Sequence, residues 1–111
     1  METKKLIEAT CPECRGPLTE VREAKDVAEY RCLVGHRYSA RALLEAHSET
    51  QERTLWAAVV ALEESSKMVR AVDQEFPPEV AERLREQAEK KQRQADEVRA
   101  ILQALDPFVT E

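Results

Sequence analysis

Two hydrophobic periods divide the chain. Up to Tyr38 the apolar positions come in ones and twos between polar residues, nearer a period of two; from Ser39 onward they recur at spacings of three, four and seven. The first pattern belongs to short strands and the second to helices. In the first part, residues 4–10 read as a short strand or extended lead-in. Residues 18–23 and 27–32 read as two short strands joined through Ala24-Lys25-Asp26, with Leu18, Val21, Val27, Tyr30 and Cys32 available for pairing. In the second part, Leu43, Leu44, Leu55, Val59, Leu62, Val69 and Val72 mark a first helix over about 40–75, with Phe76 at its far end. Val80, Leu84, Ala88, Ala95, Val98, Leu102 and Leu105 mark a second helix over about 78–105.

The element ends carry their own signals. Ser39 is a good N-cap, and Tyr38 with Leu43 occupies the N′ and N4 positions of a hydrophobic staple. Ser48 with Gln51 matches a capping box as well, so the first helix is expected either to run unbroken or to kink near His47-Ser48. Pro77-Pro78 stops it, because a proline disfavours α geometry in the residue before it. Pro78 then suits N1 of the second helix, with Glu79 complementing the dipole in its first turn. Asp106-Pro107 closes that helix and leaves 108–111 as a loose tail. Helices of these lengths measure about 54 and 42 Å at about 1.5 Å per residue, and a proline turn between them predicts an antiparallel hairpin.

The predicted fold is therefore a small α+β chain: residues 1–38 a ribbon-like β-hairpin, residues 39–111 a long helical hairpin. Composition agrees, with 5% aromatics, 35% charged residues and two glycines in 111 residues. That profile belongs to a soluble, helix-rich chain with a thin core rather than to a β-sandwich or an α/β enzyme. No apolar run reaches the length of a membrane span, the longest being Leu55 to Leu62, and no secretory signal follows Met1. A cytoplasmic, reducing compartment is the expectation.

Chemistry concentrates in four residues. Cys11-Pro12-Glu13-Cys14 and Cys32-Leu33-Val34-Gly35-His36 spell C-x2-C and C-x3-H across a 17-residue spacer. Three thiolates and one imidazole complete a tetrahedral set for structural Zn²⁺. All three cysteines and one of the two histidines serve this one constellation. Gly16 and Gly35 are placed to let each knuckle backbone take a positive φ. A ribbon of this size buries too little apolar surface to fold alone, so metal binding is its folding energy. Three alternatives stand beside this reading. A thioredoxin-like redox pair needs a βαβ context, and a disulfide leaves an odd cysteine. A catalytic zinc, with water in place of His36, needs a base or nucleophile that the neighbouring sequence does not supply.

Charge then narrows the partners. Residues 1–38 balance seven Lys/Arg against seven Asp/Glu; residues 39–111 carry ten against fifteen, which is the whole net charge of −5. Nucleic-acid affinity draws mainly on neutralised phosphates, so a neutral ribbon on an acidic extension points to a protein partner or to self-association. A zinc-ribbon transcription-associated or nucleic-acid-binding factor is the alternative. The stretch Leu55 to Leu62 is apolar nearly all round, more than one partner helix covers. A homodimer completing a four-helix bundle is expected, with Leu55, Trp56, Val59, Val60 and Leu62 as the candidate interface, Trp56 and Val60 facing the second chain.

The stretches Cys11-Pro12-Glu13-Cys14-Arg15-Gly16-Pro17-Leu18, Tyr30 to Ser39 and Leu55-Trp56-Ala57-Ala58 resemble the C-terminal extension of a subset of bacterial CheB-like chemotaxis methylesterases. That extension is a zinc-ribbon-like segment followed by helices. The resemblance runs from about residue 8 to 105 and supports Cys11, Cys14, Cys32 and His36 as one unit. It implies a bacterial source and a partner-binding role in a signalling assembly. The esterase's catalytic domain has no counterpart, and no Gly-x-Ser-x-Gly elbow occurs here, so a non-enzymatic module is expected. Of the remaining candidates, His47 reads as a solvent-facing helical residue and Met68, with Val69 and Val72, as core. The Glu79/Arg83, Glu86/Lys90 and Glu89/Arg93 pairs read as a solvated face.

Overall fold

The computed structural model describes residues 2–23 and 27–111. Four strands, β1 (Glu2–Thr10), β2 (Pro17–Glu23), β3 (Glu29–Cys32) and β4 (Arg37–Tyr38), precede two helices, α1 (Ala40–Val72) and α2 (Pro78–Ala104). One 3-10 turn, Asp73–Glu75, separates the helices. The predicted Ala24-Lys25-Asp26 connection lies outside the described residues. Packing divides the chain into two compact units, residues 1–51 with 107–111, and residues 52–106.

In the first unit the strands pair in sequence order as an antiparallel sheet. The lead-in is a full nine-residue strand, with Lys4 opposite Val21 and Leu6 opposite Thr19 before its register slips ahead of Thr10. Leu18 faces Cys32 across β2 and β3, and Tyr30 faces Tyr38 across β3 and β4. Cys11, Leu18, Cys32 and Tyr38 form the buried cluster, with Ala42, Leu43 and Ala46 of α1 packed on it. Val21 is also buried, at an odd spacing from Leu18 and so on the opposite face of β2. Val27 was expected to pair but is 83% exposed: β3 begins two residues later, and Ala28 takes the buried place beside it.

The predicted start of α1 is present in detail. Ser39 Oγ accepts the Ala42 N–H at 3.1 Å, and Leu43 packs against the cluster that holds Tyr38. α1 then runs unbroken through His47 and Ser48. The Ser48 hydroxyl instead accepts the Phe108 N–H at 3.3 Å, and the Phe108 ring stacks on exposed His47. The expected loose tail is therefore tied to α1, with Glu111 also 3.4 Å from Arg41.

In the second unit Val59 and the heptad-spaced Ala81, Ala88 and Ala95 are buried. Pro78 opens α2 as expected, with the Val80 and Ala81 amides donating to the Pro77 carbonyl. Arg99 donates twice to the Glu63 carboxylate, at 3.0 and 3.1 Å, and lies over the Trp56 ring at 5.3 Å. Arg85 pairs with Asp73 at 3.0 Å. The six charged residues Glu79, Arg83, Glu86, Lys90, Glu89 and Arg93 are all exposed. Met68 and Val72 are exposed too, which corrects their assignment to the core. The buried stripe of α1 follows Leu55, Val59, Leu62 and Val69, and Met68 falls on the other side of the helix. No helix among the described residues is long and apolar enough to cross a membrane.

Candidate metal centre

Two knuckles present the four candidate ligands. The first follows β1: the Cys11 N–H donates to the Gly16 carbonyl at 2.7 Å and the Arg15 N–H to the Cys11 carbonyl at 2.9 Å. The second joins β3 to β4: the Cys32 N–H donates to the His36 carbonyl at 3.1 Å and the Gly35 N–H to the Cys32 carbonyl at 3.2 Å. Each loop is thereby a closed turn that aims backbone amides at sulfur. The Gly16 amide lies 3.4 Å from Cys14 Sγ, and the His36 amide 3.3 Å from Cys32 Sγ.

The two glycines serve differently. Gly35 has φ +115°, a conformation that strains any side chain. In the first knuckle the positive φ falls on Arg15, at 64°, rather than on Gly16. Gly16 is needed for space instead, since a Cβ there would stand 3.3 Å from Cys14 Sγ. The turn places the strained residue one position earlier, so that the following amide can reach the sulfur.

Cys11, Cys14, Cys32 and His36 bring their ligand atoms within 4.8 Å of one another. Cys14 and Cys32 Sγ are 3.6 Å apart, and His36 Nδ1 lies 3.3 Å from Cys32 Sγ and 3.5 Å from Cys11 Sγ. Bond lengths of about 2.3 Å to sulfur and about 2.0 Å to nitrogen, at tetrahedral angles, require about 3.8 Å for S···S and about 3.5 Å for S···N. The observed separations match that requirement. They are also far beyond a disulfide bond of about 2.05 Å, and all three cysteines are free thiols.

The electrostatics favour thiolate at Cys32 and Cys11 and oppose it at Cys14. Burial opposes ionisation of Cys32, but the His36 and Gly35 amides, with Cys14 and His36, outweigh it and bring the thiol down to about 6. Cys11 is lowered by the Cys14 amide, the Tyr38 hydroxyl and the Glu13 amide against its own burial. For Cys14 the Gly16 amide favours ionisation, but burial and the neighbouring Cys32 and Cys11 sulfurs outweigh it and raise the thiol. His36 is raised, chiefly by its hydrogen bond to Cys32 and further by Cys11 and Glu13.

Two neighbours escaped sequence reading. Glu13 Oε2 lies 2.9 Å from His36 Nε2, and its Oε1 accepts the Tyr38 hydroxyl at 2.7 Å. The Tyr38 oxygen is also 3.6 Å from Cys11 Sγ. Glu13 sits between two ligands in the C-x2-C turn, which was the available signal, while Tyr38 was legible only as a staple. Thr50 of α1 donates to the Pro12 carbonyl at 3.1 Å, a second tie from helix to knuckle.

The candidate interface residues divide by exposure. Val59 is fully buried and Leu55 and Leu62 are partly so, whereas Trp56 is 44% and Val60 51% exposed. No family model, curated protein or solved structure matches this chain.

Proposed function

We propose that the chain is a zinc-binding interaction module in which a structural zinc ribbon fixes the start of a helical hairpin. The observation that carries this is the convergence of three thiols and one imidazole within 4.8 Å. Sulfur-rich tetrahedral sets select zinc over hard cations, and four protein ligands leave no open position for a substrate. A non-enzymatic role follows from that closed site. The metal's contribution is folding energy for a sheet whose buried cluster is four residues.

The helices act as the interaction surface in this reading. Contacts pair Trp56 and Glu63 of α1 with Arg99, and Asp73 of the following turn with Arg85, so numbering falls along α2 as it rises through α1 into the turn; that order supports an antiparallel hairpin. Beyond its buried stripe, α1 carries Trp56, Val60, Met68 and Val72 exposed. Trp56 and Val60, one turn apart on the same side of α1, suit a second copy or a partner helix. A place in a bacterial signalling assembly rests on the resemblance to the methylesterase extensions. Metal analysis of the purified chain, light scattering of the zinc-loaded form and a gel-shift at about 50 mM salt test the three parts. One zinc per chain, a dimer and no retarded nucleic acid are expected; a zinc-free folded chain would overturn the proposal.

A further inference from the structure

We infer that Glu13 is a positioning residue of the metal centre: it holds His36 in the tautomer that ligates through Nδ1, and Tyr38 holds Glu13. The inference rests on the zinc reading above and adds to it the determinant of how firmly the fourth ligand stays in place.

A neutral imidazole has one N–H, and a nitrogen that binds metal cannot carry it. Nδ1 faces Cys11 and Cys32 Sγ at 3.5 and 3.3 Å, so the proton belongs on Nε2. Nε2 meets Glu13 Oε2 at 2.9 Å. The other Glu13 oxygen is taken by the Tyr38 hydroxyl at 2.7 Å, and Tyr38 is buried at the junction of β4 and α1. Both carboxylate oxygens are thus engaged, one by the ligand and one by a side chain anchored in the core. A carboxylate on the remote N–H orients a ligating histidine and raises its basicity, and loss of such a partner costs about 10–100-fold in metal affinity. Glu13 is 53% and His36 31% exposed, so water competes for the bond and the lower end of that range applies.

Zinc affinity, measured by competition with a chromogenic chelator, should fall about tenfold in Glu13→Ala. Glu13→Gln keeps an oxygen acceptor for Nε2–H and should recover most of the loss. Tyr38→Phe keeps the ring's packing and should weaken binding in the same direction by a smaller factor. Nitrogen-15 spectra of the zinc-loaded wild type should show His36 bound through Nδ1 with a protonated Nε2. In Glu13→Ala that Nε2 proton should exchange faster with water. Wild-type affinity retained within twofold by Glu13→Ala, or ligation through Nε2, overturns the inference while leaving zinc binding intact. Failure of the wild type to take up zinc overturns both.

Discussion

A methyl group at Gly16 would press on the Cys14 sulfur, an atom that a bound metal would hold in place. Overpacking of this kind costs about 1–3 kcal/mol. Gly16→Ala is therefore expected to weaken zinc binding at least about fivefold in a chelator competition, because the sulfur rather than the loop must yield. At Gly35 nothing lies within 4 Å of the added carbon, so only the backbone at φ +115° resists. Gly35→Ala should lower the urea-unfolding free energy of the zinc-loaded protein by about 1–3 kcal/mol. Acid acts on the candidate ligands themselves. Cys32, held down to about 6 from an ordinary 9.0, contributes thiolate stability that is complete above 9 and lost as pH falls through about 6. Protonation of His36, whose pKa is raised, removes the Nδ1 lone pair in the same direction. Zinc affinity should fall increasingly steeply with falling pH, as protons on Cys32 and His36 compete with the metal, read by a zinc-sensitive dye. The ligand set was legible in the sequence because spacing alone defines it. The Arg15 strain and the Glu13–His36–Tyr38 link were not, since both depend on how a turn closes in space.

At the scale of elements, the start of α1 joins the candidate metal centre to the helix. Ser39 caps it, Tyr38 closes the staple and reaches Glu13, and Thr50 binds the knuckle carbonyl. Ser39→Ala should cost about 1 kcal/mol in urea unfolding followed by circular dichroism, with zinc stoichiometry unchanged. Both helices and their proline boundary were readable from period and punctuation. The two-residue β4 was too short to show a period, and it exists because the second knuckle returns Arg37 and Tyr38 against β3. The Ser48 capping signal stayed unused because helix continuity satisfies the backbone amides it would have capped. Met68 was misplaced by composition alone: an apolar residue off the buried stripe is still off the stripe.

At the scale of the molecule, the two compact units draw on different sources of stability. On the zinc proposal, residues 1–51 with 107–111 draw their folding energy from the metal. Residues 52–106 bury Val59, Ala81, Ala88 and Ala95 and add the Arg99–Glu63 and Arg85–Asp73 pairs. Chelation should abolish the sheet while much of the helical signal persists. Val60→Asp places a charge on an exposed position of α1 and should leave the monomer folded while shifting a dimer to monomer in light scattering. The most direct test of the account is zinc content per chain for the wild type and Cys32→Ser, with thiol reactivity before and after chelator. The account predicts one zinc per wild-type chain, thiols protected until chelator is added, and loss of zinc together with the sheet in Cys32→Ser. Full zinc and native stability in Cys32→Ser, or reactive thiols in a folded zinc-free wild type, would contradict it.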